Sequence, residues 1–140
     1  FDVALTRLEQ SLTLAIPTEE PEIYYYISLI YYRTGLKTKA LKILATYPPD
    51  PDEYFYIDYS LLCGSLYAYT KNYKSAIDVL APIQEKRLDK KDKQSLYLIR
   101  GISFFNIEKK QKAVENLRKT IDIDPNSLAG KNAAYILKEL

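Results

Sequence analysis

The chain has 140 residues, 47% hydrophobic and 27% charged, long enough and apolar enough for one domain with a buried core. Twenty basic and eighteen acidic residues leave a net charge of +2, and that near-balance argues against a general polyanion binder. Histidine, methionine and tryptophan are absent, and the single cysteine, Cys63, excludes an internal disulfide. Cys63 lies in an apolar stretch, where it reads as a small buried hydrophobe. No apolar run approaches the ~18 residues a spanning helix needs, so no membrane insertion is expected of this segment. No signal peptide is visible, and a start at Phe1 without any methionine reads as a piece of a longer protein. Cytoplasmic and exported locations therefore both stay open.

A repeat organises the chain. Ala4, Ala40, Ala76 and Ala113 stand 36, 36 and 37 residues apart, each followed four residues later by Leu8, Leu44, Leu80 and Leu117. Small residues Ser28, Gly64 and Gly101 precede the last three alanines, with aromatic Tyr31, Tyr67 and Phe104 three residues on. In chain order, residues 2–14 match the second helix of a unit without its first. Helices are then expected at about 22–34 and 37–47, joined by the Thr34–Gly35 turn. The prolines of "YPPDPD" at 47–52 break the chain. The next pair spans about 55–70 and 73–87, with Pro82 expected to kink or end its second helix. "EKRLDKKDKQ" at 85–94 alternates acids with lysines and reads as a solvated linker, a phosphate-binding patch being the sharper alternative. The third pair covers about 94–106 and 110–122. Pro125 then ends a helix, and Asn126 or Ser127 caps a final one at 127–140.

No alternating strand pattern competes, so the fold class is all-α: an α-solenoid of antiparallel helix pairs. A small side chain lets two helices approach closely while a bulky neighbour fills the groove. Ser28, Gly64 and Gly101 are accordingly expected to face Ala40, Ala76 and Ala113. A single helix pair cannot bury its apolar face alone, so units must stack.

These residues resemble the tetratricopeptide repeat, a helix–turn–helix of roughly 34 residues with a W-x₂-L-G-x₂-Y…A-x₃-F…P pattern. The third unit fits best, with Tyr97 in the tryptophan slot and Gly101, Phe104, Ala113, Leu117 and Pro125 in the others. The second has Ser60 in the bulky slot; the first carries Tyr24, Ser28, Tyr31, Ala40 and Leu44. The resemblance implies a right-handed superhelix in one domain over 1–140, with repeats at 21–54, 55–92 and 93–126 and a capping helix at 127–140.

Chemistry is scarce. Without histidine, Ser-His and Cys-His arrangements and histidine metal sites are unavailable, and the four glycines form no phosphate-cradling loop. The acids Glu19, Glu20 and Glu22, and Asp50, Asp52 and Glu53, precede expected helices and suit helix N-termini. The chain is therefore expected to be no enzyme, with no catalytic residues, no metal and no cofactor. Fourteen tyrosines could stack bases, but the expected groove offers Arg33 as its lone cation, so no nucleic-acid partner is expected.

In the resembled family, first helices line a groove that takes a partner segment. The corresponding off-core positions are Tyr25, Leu29, Tyr32 and Arg33; Leu61, Ser65, Ala68 and Tyr69; and Leu98, Ile102 and Phe105. Some members hold a carboxylate there through basic and amide residues. The matching positions, Tyr25, Leu29, Leu62, Ser95 and Ile99, carry none, so that clamp is absent. The resemblance thus implies a protein-interaction scaffold for an apolar or aromatic peptide or helix. The competing reading is an assembly module that self-associates or packs against further repeats. Within "YYYISLIYY", Tyr24 and Tyr31 are expected in the core, and Tyr25 and Tyr32 on the flank that opens to the groove.

Overall fold

The computed structural model describes residues 3–7 and 20–140. Residues 3–7 are helical, and the rest of the expected 2–14 helix lies outside the described residues. Seven α-helices follow: α1 (Glu20–Arg33), α2 (Lys37–Thr46), α3 (Tyr56–Tyr69), α4 (Tyr73–Leu80), α5 (Lys90–Asn106), α6 (Lys110–Ile123) and α7 (Leu128–Lys138). Among the described residues there is no strand. The architecture is all-α helical repeat, and it forms two compact units, residues 1–59 and 60–140.

In the first unit α1 packs on α2. Glu20 and Glu22 in the first turn of α1 and Arg33 in its last complement the helix dipole. Its buried side is Tyr25, Ile27, Ser28 and Tyr31, against Ala40, Leu41 and Leu44 of α2. Phe55, just ahead of α3, is 2% exposed and heads the fully buried side chains by volume. Its ring stacks on Tyr25 at 5.3 Å, with Tyr54 edge-on at 5.4 Å. Tyr25 is therefore a core residue. The expectation that it opens onto a groove is corrected, because Phe55 occupies the flank where that opening would be. Tyr24 is half-buried and instead stacks on Tyr47 at 3.5 Å.

In the second unit α5 is central, packing on α4, α6 and α7, and α6 also packs on α7. The small residues give room to a bulky one. A Cβ added to Gly64 would meet Leu80 at 3.0 Å, and one added to Gly101 would meet Leu117 at 2.6 Å. Each glycine thus receives the leucine of its own repeat. The alanines Ala40, Ala76 and Ala113 are themselves fully buried. Glycine inside a helix costs ~1 kcal/mol against alanine, and the leucine seated over it offsets that cost by burial.

The turns within the pairs repeat almost atom for atom. Gly35, Lys71 and Glu108 all adopt positive φ, at 85°, 65° and 64°. The next residue closes each turn with a backbone hydrogen bond to the recurring aromatic slot: Leu36 N–H to Tyr31 O at 2.8 Å, Asn72 N–H to Tyr67 O at 2.8 Å, Lys109 N–H to Phe104 O at 2.9 Å. This is the left-handed C-terminal stop that favours glycine. Only the first turn has one. Lys71→Gly and Glu108→Gly are expected to stabilise the chain by about 1 kcal/mol each by relieving the Cβ penalty, measured by denaturant unfolding. Loss of stability in both would contradict this backbone geometry.

Helix ends account for two departures in length. Pro82 has no N–H to bond the Asp78 carbonyl, which instead takes Ala81 N–H at 3.3 Å, and α4 stops at Leu80. Asp89 caps α5 by accepting from Asp92 N–H at 2.8 Å. The helix therefore starts at Lys90, not 94, and the supposed linker at 85–94 is half helix. Ser127 caps α7, accepting from Gly130 N–H at 3.0 Å.

Candidate interaction site

The residues expected to line a groove fall into three groups, each placed within its own unit. In the first unit, Leu29 is half-buried, while Tyr32 and Arg33 are exposed toward the end of α1. The Lys37 ammonium stands 5.9 Å from the centre of the Tyr32 ring. Tyr25 is in the core, as shown above. In the second unit, α3 presents half-buried Ser65 and Ala68 and exposed Tyr69, but Leu61 is buried. Leu61 occupies the same repeat position as Tyr25, so this flank serves packing in both cases. On α5, Leu98, Ile102 and Phe105 are all half-buried and follow at helical spacing. They form one apolar stripe on a single rigid helix, with apolar area left over after the core is made. Of the clamp-matching positions, Ile99 is buried and Leu62 and Ser95 are half-buried.

Several polar features were not anticipated. Tyr54, 72% exposed, donates to Glu22, and the Tyr26 and Tyr54 hydroxyls lie 2.9 Å apart. The hydrogen bonds to Glu22 and Tyr26 push the Tyr54 hydroxyl pKa up. Tyr24 is pushed up to about 12 by its hydrogen bond with Tyr47 and by burial, and Tyr25 to about 12 chiefly by burial. All three phenols are thus neutral donors at physiological pH. A cluster of exposed rings and hydroxyls stands on the first unit, where the sequence offered only a run of tyrosines.

In the second unit Arg100 donates from Nη1 to Glu85 Oε1 at 2.8 Å and from Nη2 to the Leu80 carbonyl at 3.1 Å. Tyr97 donates to Glu85 Oε2 at 2.9 Å. The guanidinium thereby caps the end of α4 where Pro82 cuts it short. Burial raises the Glu85 pKa, but the Tyr97 and Arg100 hydrogen bonds and the Arg100 and Lys119 charges outweigh it and hold the carboxyl below its usual range. A carboxylate with a lowered folded pKa stabilises the fold above the ordinary value of about 4.3, and that contribution is lost as pH falls through the folded pKa. The melting temperature is therefore expected to drop less between pH 7 and pH 3 in Glu85→Gln than in wild type. An unchanged drop would contradict the pairing. Gln94, 8% exposed, donates from Nε2 to the Thr120 and Asp124 carbonyls at 2.9 and 3.0 Å, closing the C-terminal end of α6.

Among the described residues, no cluster of histidine, cysteine, aspartate or glutamate could hold a metal ion. No helix among them is long and apolar enough to cross a membrane. What the site offers is surface: an apolar stripe on α5, exposed aromatics on α1 and α3, and polar groups already paired.

Residues 95–127 match the family model of the tetratricopeptide repeat. No curated protein and no solved structure matches the chain. The matched segment runs from α5 through α6 to the Ser127 cap and contains the Gly101–Leu117 contact. With that match and its successive packed helices, residues 95–127 form a tetratricopeptide-like repeat within an all-α helical repeat chain.

Proposed function

We propose that the chain is a non-enzymatic protein-interaction module, and that the stripe Leu98, Ile102 and Phe105 on α5 receives an apolar or aromatic segment of a partner. The observation that carries this reading is the stripe itself. Three large apolar side chains remain half-buried on the first helix of the repeat that matches the family. Rigid helices presenting such anchors bind by recognition, without a chemical step. Tyr32 and Tyr69 extend the same type of surface within their own units.

A second reading is favoured by a different face. Leu128 and Tyr135 of α7 are 76% and 68% exposed and stand seven residues apart, on one side of the helix. That side suits assembly, either with a second copy or with further repeats. Photo-crosslinkable phenylalanine derivatives placed at Phe105 and at Tyr135 separate the two. The interaction reading expects crosslinks to a different protein from position 105. Crosslinks confined to position 135, joining copies of the chain, would replace it with the assembly reading.

A further inference from the structure

The near-neutral total conceals a segregation of charge. Residues 1–59 carry five basic and nine acidic side chains, net −4, whereas residues 60–140 carry fifteen basic and nine acidic, net +6. The second unit therefore has the basic character that the whole chain lacks, and a cleft in that unit gathers part of it. The cleft, of about 360 Å³, is lined by apolar Ile77, Ala81 and Phe104, by the Glu85–Arg100 pair, and by Lys112, Glu115 and Lys119 of α6.

The two lysines are set rather than loose. The Lys112 ammonium lies 5.5 Å from the centre of the Phe104 ring, and that of Lys119 lies 5.2 Å from the centre of Tyr97. Attraction to the ring faces holds both side chains along the cleft. Both residues are exposed, so their charges stay available to a ligand. Arg100 is spent on Glu85 and the Leu80 carbonyl, and Lys112 and Lys119 face Glu115 and that already paired Glu85, so the cleft carries three basic against two acidic side chains. Seven residues along a helix separate the backbones of Lys112 and Lys119 by about 10.5 Å. In a polyproline-II segment, residues three apart lie on one side about 9 Å from each other. Carboxylates spaced in this way would meet both ammonium groups while intervening apolar side chains lie on Ile77 and Ala81.

We infer that this cleft binds an extended acidic peptide segment, with carboxylates three residues apart and apolar residues between them. It is a surface separate from the α5 stripe. A protein segment fits better than a nucleic acid, because Tyr97 is buried and Phe104 half-buried with Lys112 beside it, which leaves no open stacking face.

The test is fluorescence anisotropy on the full chain, with a labelled proline-rich peptide carrying glutamate at every third position and leucine between. Binding is expected at 50 mM salt and should weaken at 500 mM. Lys112→Gln together with Lys119→Gln should cost at least tenfold in affinity, in a chain that circular dichroism shows to be still folded. Glu115→Gln should tighten binding about threefold by removing the opposing charge. Equal binding of a peptide with glutamine for glutamate would overturn the inference, as would indifference to the double lysine variant. A ten-nucleotide oligouridine bound as tightly, and lost in the same variant, would also overturn it and reassign the surface to nucleic acid.

Discussion

Gly130→Ala is expected to lower stability by about 3 kcal/mol, although alanine is the better helix former. Gly130 sits in the first turn of α7, where its N–H bonds to the Ser127 hydroxyl. A Cβ at this position would overlap the Asp124 carbonyl oxygen and come within 3.0 Å of Pro125. That carbonyl cannot simply move aside. It accepts from Gln94 Nε2 at 3.0 Å and from the Ser127 hydroxyl at 3.0 Å, so a shift breaks the closure of α6 as well as the cap of α7. The loss should concentrate at the C-terminal end of the second unit. Hydrogen exchange is expected to show α7 amides deprotected well before those of α5. An unchanged melting temperature together with protected α7 amides would show that the chain crosses here with more room than the structure gives it.

The second large effect belongs to the contact that recurs between repeats. Leu117 is fully buried and fills the space over Gly101. Leu117→Ala should cost about 2–5 kcal/mol through lost burial and the cavity it leaves. Gly101→Ala should cost about 1–3 kcal/mol, because its new Cβ would stand 2.6 Å from a Leu117 side-chain atom with no slack beneath. The double variant should be more stable than the sum of the singles implies. With the leucine gone, the alanine methyl enters free space and contributes its helix propensity. Strict additivity in denaturant unfolding would mean that the two residues do not form the contact. Gly64 and Leu80 should behave alike but more mildly, since the added Cβ would lie 3.0 Å away.

The repeat was legible from spacing alone. Alanines, leucines and aromatics recurring every 36 or 37 residues locate every helix pair, and proline and glycine mark the breaks between them. Register around each helix was less legible. Relative to Ser28, Tyr24 and Tyr25 fall on either side of the core direction at ~100° per residue, and nothing in α1 itself chooses between them. Phe55 makes the choice from thirty residues downstream, by filling the side where Tyr25 projects. Similarly, the alanine spacing marks a close approach without saying which residue enters it, and the glycines turned out to receive leucines. The early start of α5 rests on the single cap Asp89, which hides among alternating charges.

Paired polar groups were harder still. Arg100 is the lone charge of the stretch 95–105, a signal that it serves a contact, but its partner Glu85 lies ahead of the helix, in the segment that follows Pro82. The net charge was misleading because opposite excesses in the two units cancel in the sum. A count taken separately over each half would have exposed the basic unit.

Recognition by this chain is proposed to run through the α5 stripe. The most direct test is the dissociation constant of the protein crosslinked from position 105, measured for wild type and for Ile102→Glu. Ile102 is half-buried on the stripe and outside the buried set of α5, so the charge should leave the helix folded. The complex should be at least tenfold weaker, with circular dichroism and melting temperature close to wild type. A dissociation constant unchanged in a folded Ile102→Glu chain would contradict it.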